Sequence, residues 1–448
     1  MKKLLFILPI LFSVNSFAQT LSLTDCIDAA LNNKADIQAI RTENTIAGLQ
    51  SQELLAKYLP QVSLSYEYRY NPIIPSQIIP VGEFAPIPTD ETRAIKFGTA
   101  WQQNAGISVY QPIIDASVKS RIEESRINER IKNADLQIAS EELIYEVMKT
   151  FSAVYLRSIQ QQNAVIDTAR TFRSWELIKA RFEEGKVLKT ELNKALLNHH
   201  NTLAQLRQAE SEKVKEQIYL SFLTGLPLTT VFESAFDFGP FETPGLFDLS
   251  PELEMDSIPS IRQLHYQGGL ARLQMKNEKK KYIPTVGLQG FLGANQFSDS
   301  FSPFQSNSWY GNSYVGLSVK IPILISENTP NRISQFATQS EGIRYRIEEQ
   351  KNQLNQNILQ LSQDIMYLNT QIEMSGENIG LMEENIQILQ DRFQEGQINA
   401  YDLNSQELDL QKETGNLNQQ KAELLQKKLE KAKSSGQLNL LTNKIKGE

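Results

Sequence analysis

Between Val62 and Tyr70 apolar and polar residues alternate one for one. Val62, Leu64, Tyr66, Tyr68 and Tyr70 are interleaved with Ser63, Ser65, Glu67 and Arg69. A period of two places the first set on one face of a β-strand and the second on the other. Val315, Leu317, Val319 and Ile321 repeat the pattern against Tyr314, Gly316, Ser318 and Lys320, and weaker, glycine-diluted versions occupy 105–111 and 285–295. The pattern predicts two hairpins, at about 61–113 and 285–324. The segment from Asn71 to about Ala100 holds Pro72, Pro75, Pro80, Pro86 and Pro88, and is expected to be an irregular cap. Trp101, Trp309 and Tyr310 flank the strands, where they suit either an aromatic girdle at a membrane surface or a buried core.

Elsewhere the period is helical. Ser22-Leu-Thr-Asp25 has the spacing of a capping box, and the helix it opens is expected to run to about Lys57 before Pro60 stops it. In the second half, Ile358, Ile365, Ile372, Ile379, Ile386 and Phe393 recur every seven residues. A second seam, Ile347, Leu354, Leu361, Leu368, Met382 and Leu389, is broken only at Ser375. A heptad sustained this long predicts a coiled coil. A continuous helix from Pro330 to Phe393 would be about 96 Å long. Gly396 interrupts it, and Leu403, Leu410, Leu417 and Leu424 form a returning heptad; Gly185 interrupts the first half in the same way.

These landmarks recur in order. Lys57-Tyr-Leu-Pro60 returns as Lys281-Tyr-Ile-Pro284, Gly106-Ile-Ser-Val-Tyr-Gln-Pro-Ile113 as Gly316-Leu-Ser-Val-Lys-Ile-Pro-Ile323, and Arg181-Phe-Glu-Glu-Gly185 as Arg392-Phe-Gln-Glu-Gly396. The chain is therefore read as a tandem duplication. Repeat one covers 19–224 and repeat two 259–433, with a Gly- and Pro-rich linker at 225–258 and a weakly periodic tail at 434–448. Both of these last segments are expected to pack around the outside of a helical barrel.

Composition narrows the class. Lys2 and Lys3 precede an apolar run from Leu4 to Phe12 and a small-residue segment ending at Ala18, which reads as a signal peptide over 1–18 and an exported chain. No other apolar run is long enough to be a membrane helix. The formal net charge is −7, which gives no support for nucleic-acid binding. Cys26 is the only cysteine, so it cannot form an intramolecular disulfide, and Asp25 before it argues for a buried small residue over a lipid anchor. His199, His200 and His265 have no metal or triad spacing, and the adjacent pair is expected on a solvated helix face. No phosphate loop or nucleophile elbow occurs, so neither enzyme activity nor a cofactor is expected.

Strands of this length can cross a bilayer, yet four cannot close a barrel, and open edges in lipid leave backbone groups unpaired. Several chains must then share one barrel, with Val62, Leu64, Tyr66, Tyr68, Tyr70, Val315, Leu317, Val319 and Ile321 facing lipid and the interleaved polar residues facing water. The alternative is a soluble periplasmic or surface coiled-coil scaffold.

The order of helix, Tyr-hydrophobic-Pro, hairpin, Ser-Val-x-x-Pro-Ile, long helix, Arg-Phe-x-x-Gly and helix, twice over, resembles the TolC-like outer-membrane factors across nearly the whole mature chain. Leu21-Ser-Leu-Thr-Asp-Cys-Ile-Asp-Ala-Ala-Leu31 is similar to that family's usual start. The resemblance implies a homotrimer whose twelve-stranded outer-membrane barrel continues into a periplasmic helical barrel. It implies export through the lumen in company with a periplasmic adaptor (a membrane fusion protein) and an inner-membrane pump. The adaptor would meet the hairpin tips, around Glu184, Gly185, Val187, Glu395, Gly396 and Ile398. A periplasmic gate would hold the lumen acids Glu191 and Asp402. Phe393, Ile398 and Ser405 stand where some members carry a tyrosine, an arginine and a second aspartate. Asp402 also suits the first turn of any helix.

Overall fold

A computed structural model describes residues 20–80, 90, 92–233, 235–237, 247, 255–303, 309–323, 328–395, 397–398 and 400–446. The expected signal peptide and much of the linker lie outside them. The elements are β1 (Thr20–Ser22), α1 (Leu23–Asn33), α2 (Ala35–Ala56), β2 (Gln61–Tyr70), β3 (Ser76–Ile79), β4 (Arg93–Lys96), β5 (Trp101–Ile114) and α3 (Ala116–Glu183). They continue with α4 (Lys189–Thr224), α5 (Leu228–Glu233), β6 (Ala235–Asp237), α6 (Pro259–Lys280), β7 (Thr285–Ser298) and β8 (Trp309–Lys320). The chain closes with α7 (Thr329–Gln394), α8 (Ala400–Ser434) and α9 (Leu438–Lys446). Two compact units result. One contains Asn44–Ile131 and Tyr266–Arg344; the other contains the chain up to Glu43, Lys132–His265 and Tyr345 onward.

The first unit carries a four-stranded antiparallel sheet in the order β2-β5-β7-β8, so the two predicted hairpins join through β5 and β7. The register shifts between Pro112 and Ile114, where proline cannot donate to the ladder. Asp115 then caps α3, accepting the backbone N–H groups of Ser117 at 2.8 Å and Val118 at 3.2 Å. Two expectations need correction. The segment after Asn71 is not irregular throughout, because β3 and β4 pair antiparallel within it. Pro72, Pro75 and Pro80 bracket β3 without interrupting it, while Pro86 and Pro88 fall outside the described residues. Ile321 lies one residue past the end of β8, before Pro322.

In the second unit Ser22 and Asp25 form the expected capping box, with reciprocal backbone bonds of 3.1 Å. The helix it opens breaks at Lys34, whose backbone is extended. The Lys34 ammonium donates to the Phe222 carbonyl at 3.1 Å and sits 3.2 Å from the centre of that ring, tying the break to α4. The core joins Leu23, Cys26 and Ile27 of α1, Val147, Met148, Phe151 and Val154 of α3, Leu220 of α4, Leu429 of α8, and Leu438 and Leu441 of α9. The tail thus ends in a helix that packs into the core, which nine residues were too few to reveal by period. Burial pushes the Cys26 thiol up to about 12, consistent with an inert packing residue. β1 and β6 add a short parallel pair that no alternation in the sequence marks.

Sheet packing depends on close approach at glycine. A Cβ on Gly293 would lie 2.5 Å from the Ala105 carbonyl oxygen and 2.8 Å from Gly106 Cα, and a side chain cannot rotate away from backbone. Gly316, on the β8 edge strand, has open space around it. Gly293→Val is therefore expected to cost about 3 kcal/mol or more of sheet stability and to deplete the protein from the membrane fraction, while Gly316→Val inserts normally. Membrane fractionation with a heat-modifiability gel distinguishes them.

Candidate functional site

The pairing registers assign every strand residue to one of two faces. On one face, Val62 opposes Val109, Leu64 opposes Ile107, Val286 opposes Val319, Leu288 opposes Leu317 and Gly290 opposes Val315. All four strands contribute, so the apolar positions read from β2 and β8 belong to one continuous apolar surface. It is bare on this chain, with Leu64 80% and Val315 82% exposed. An apolar patch of this extent on a soluble monomer would be unusual.

At the loop end of this face the surface turns aromatic. Trp101 stacks on Tyr68 at 5.1 Å between centroids, leans on Tyr70 at 4.4 Å and meets the edge of Phe301 at 5.1 Å. Tyr68 is accordingly half-buried. Trp309 shares this face, opposite Gln296, whereas Tyr310 points to the other, opposite Asn295. The grouping of Trp101, Trp309 and Tyr310 is thereby split. Gln103 and Gln296 were missed by period because they occupy apolar-face positions. Each is at most 3% exposed. The Gln103 amide donates to Gln296 Oε1 at 2.5 Å and to the Ser302 carbonyl at 3.0 Å, and Gln103 Oε1 accepts from the Tyr66 hydroxyl at 2.7 Å. The pair is satisfied internally, as a polar group next to an apolar surface must be.

The opposite face is polar. Ser63 and Ser108 share a hydrogen bond of 2.7 Å, Asn104 donates to Asn295 at 2.7 Å, and Arg69 and Glu67 are 2.6 Å apart. Aromatic pairs interrupt it, Phe291 with Tyr314 at 5.9 Å and Phe297 with Tyr310 at 6.2 Å. The Phe291 ring lies against Gly106 and Gly293, where a Cβ would overlap it.

The long hairpins turn as the repeats predict. Gly185 has φ 73°, the Lys186 N–H reaches back to the Arg181 carbonyl at 2.9 Å, and Gly185 N–H bonds the Phe182 carbonyl at 2.9 Å. This is a Schellman cap, which needs the left-handed residue glycine supplies. In repeat two the matching bond runs from Gln397 N–H to the Arg392 carbonyl at 2.9 Å. Gly396 itself and the Phe393 side chain lie outside the described set. Glu184 is exposed and bonded to Lys186 at 2.6 Å, a contact that lowers its pKa; Glu395 accepts from the Gln397 amide at 2.6 Å. Val187, Ile398 and Ser405 are partly exposed. Glu191 and Asp402 are exposed, and each is the third residue of its helix, α4 and α8 respectively. The duplication thus puts both acids at one structural position.

Further from the tips, the expected seam of α7 is the buried one, with Leu361, Leu368, Ile386 and the exceptional Ser375 all covered. A second stripe went unread. Leu359, Met366, Met374, Leu381 and Ile388 are exposed along α7 at spacings of seven or eight residues, and Val214, Ile218 and Phe222 form an exposed row on α4. His199 departs from the solvated-face expectation: it is half-buried, 5.4 Å from the Phe172 ring. Among the described residues no cluster suited to a metal and no helix apolar and long enough to cross a membrane is present.

A two-faced sheet carried on duplicated helical hairpins defines a membrane channel component. Residues 26–226 and 252–439 match the family described as outer membrane efflux protein, and the chain belongs to that family. It is accordingly a channel protein of the bacterial outer membrane extending into the periplasm, acts in efflux, and is not an enzyme. Sequence comparison with curated proteins finds no match. Similar solved structures include the CmeC outer membrane channel of Campylobacter jejuni, at 14% identity over 93% of this chain and 85% of that one, with a TM-score of 0.70. The open state of the Neisseria gonorrhoeae MtrE channel matches at 14% identity over 92% and 88%, TM-score 0.68. VceC of Vibrio cholerae matches at 11% over 95% and 96%, TM-score 0.63.

One ionisable cluster in the helical unit tunes stability with pH. Asp167 of α3 and Glu407 of α8 approach the same guanidinium, Arg170, at 3.2 and 3.6 Å. Burial raises both carboxyl pKa values, and for Glu407 the Asp167 charge adds to it, while Arg170 opposes the shift in each. A carboxyl pKa raised in the folded state contributes stability that is present below the unfolded value and is lost as pH rises through the folded one. Thermal unfolding should therefore move upward as pH falls toward the ordinary carboxylate range, and Asp167→Asn with Glu407→Gln should flatten that rise.

Proposed function

We propose that three copies of this chain close a twelve-stranded barrel in the outer membrane and continue it as a periplasmic helical barrel, a passive duct for efflux. The observation that carries this reading is the sheet: one face mainly apolar, the other mainly polar, and both outer strands, β2 and β8, with an edge that no strand pairs among the described residues. Such a sheet persists in lipid only when its edges are paired, and the antiparallel meander lets β2 of one copy pair with β8 of the next. Lipid would meet Val62, Leu64, Tyr66, Tyr70, Val315, Leu317 and Val319, and the lumen would be lined by the face of Ser63, Ser65 and Asn104. The exposed stripes on α4 and α7 supply apolar surface for contacts between neighbouring copies.

In this arrangement the tips at Glu184–Val187 and Glu395–Ile398 receive a periplasmic adaptor, which couples the duct to an inner-membrane pump. Glu191 and Asp402, with Ser405 and Phe393 nearby, narrow the periplasmic end. Six carboxylates from three copies would favour cations there, as charged rings do in pores. Single-channel recording in planar bilayers tests the gate. Glu191→Ala with Asp402→Ala should reduce cation selectivity and weaken block by trivalent cations, while Asp409→Ala leaves both near the parent values. Unchanged selectivity and block in the double variant would reduce both acids to helix-start residues.

A further inference from the structure

At the foot of the sheet, where strands give way to helices, the sheet-bearing unit holds a cavity of about 690 Å³ between α3, α6 and the start of α7. Its strand residues Tyr110, Thr285 and Lys320 all belong to the polar face, as the pairs Tyr110 with Gln289 and Thr285 with Lys320 require. The cavity therefore opens away from the apolar surface.

Most of its charged groups are already committed. Lys280 pairs with Glu123 at 3.0 Å, Lys281 and Arg332 share Glu278 at 2.7 and 3.8 Å, Glu124 accepts from the Asn277 amide at 2.6 Å, and Asp115 caps α3. Two cations in the lining, Arg121 and Lys320, have no carboxylate partner among the described residues. Two further polar atoms are also unspent. Ser120 Oγ and Asn277 Oδ1 line the cavity without a hydrogen-bond partner, on residues only 6% and 8% exposed. Buried polar groups left this way are uncommon; the Ser120 hydroxyl can donate to a bound anion, whereas the Asn277 oxygen accepts only and calls for a donor such as water. Part of the remaining wall is apolar. The Tyr110 ring lies against Gly287, where a Cβ would sit 2.5 Å from it, and Phe336 and Ile283 also line the cavity.

We propose that this cavity binds a small organic anion, its phosphate or carboxylate held by Arg121 and Lys320 and its apolar body against Tyr110 and Phe336. Charge-assisted bonds to Arg121 and Lys320 supply the affinity for the head group, and the aromatic wall selects for a ring or short chain attached to it. The binding chemistry stands on the cavity itself; only its role, as a station for anionic cargo in the lumen, rests on the channel reading.

The test is calorimetric titration of the full-length protein in phosphatidylcholine nanodiscs with phenyl phosphate, inorganic phosphate and the neutral phenyl glucoside. Phenyl phosphate should saturate one site per chain, inorganic phosphate should bind more weakly and phenyl glucoside should give no saturable signal. Arg121→Gln with Lys320→Gln should weaken phenyl phosphate about tenfold or more, while Arg121→Lys with Lys320→Arg should keep most of the affinity. No phenyl phosphate binding by the parent protein, equal binding of phenyl glucoside, or undiminished binding by the glutamine variant would each overturn the proposal. Phospholipid that co-purifies with the parent and not with the glutamine variant would assign the cavity to a lipid headgroup and overturn the soluble occupant. If the glutamine variant fails to assemble, the three-probe comparison on the parent decides alone. Conductance of the same preparation without ligand keeps the two readings apart: a conducting protein indifferent to phenyl phosphate removes this inference and leaves the duct intact.

Discussion

Unpaired backbone at the edge of a sheet is the constraint on which the rest depends. In water an open edge is tolerable because solvent bonds it; in hydrocarbon each orphaned amide or carbonyl costs several kcal/mol. This chain presents an apolar face made by four strands and, among the described residues, leaves the outer sides of β2 and β8 open. The apolar face argues for lipid, and lipid in turn demands a partner at each edge. On the proposed reading oligomerisation would follow from the sheet, and a wet interior from closing it with the polar face inward.

The helical hairpins obey a related logic. Duplication gives each strand pair its own pair of long helices, and the first hairpin ends at Gly185, which supplies the left-handed residue of the turn. One seam of α7 is satisfied within the chain, with Leu361, Leu368 and Ile386 buried, while the stripe from Leu359 to Ile388 is not. A helix with one covered and one bare apolar stripe is suited to a wall built from several copies.

Much of this was legible in the sequence because regular structure writes itself as period. The alternation from Val62 to Tyr70, the seven-residue recurrence from Ile358 to Ile386 and the paired Arg-Phe-x-x-Gly motifs located β2, α7 and the hairpin turns. What remained hidden had no period to show. The break at Lys34 depends on the Phe222 ring and carbonyl of α4, a contact far away in sequence. Helix α9 is too short to display a moment by inspection, and β3 and β4 sit among prolines that bracket them. Gln103 and Gln296 read as interruptions of an apolar face, whereas their mutual hydrogen bond makes them part of it. The tip acids were found through a resemblance; on residues alone Glu191 and Asp402 are ordinary first-turn carboxylates, and the fold places both at the third position of a helix without separating the two roles.

The central claim is that the open edges of β2 and β8 pair between copies. Intermolecular disulfide mapping tests it most directly, with Cys26 replaced by alanine and single cysteines placed in pairs on the polar face, at Ser63 or Ser65 on β2 and Asn312 or Ser318 on β8. Oxidation in the native outer membrane should give a covalent ladder ending at three chains for at least one pairing, with the cross-links traced to β2 of one copy and β8 of another. Cross-links that join β2 to β8 within a single chain, or a ladder that stops at two, would contradict the account.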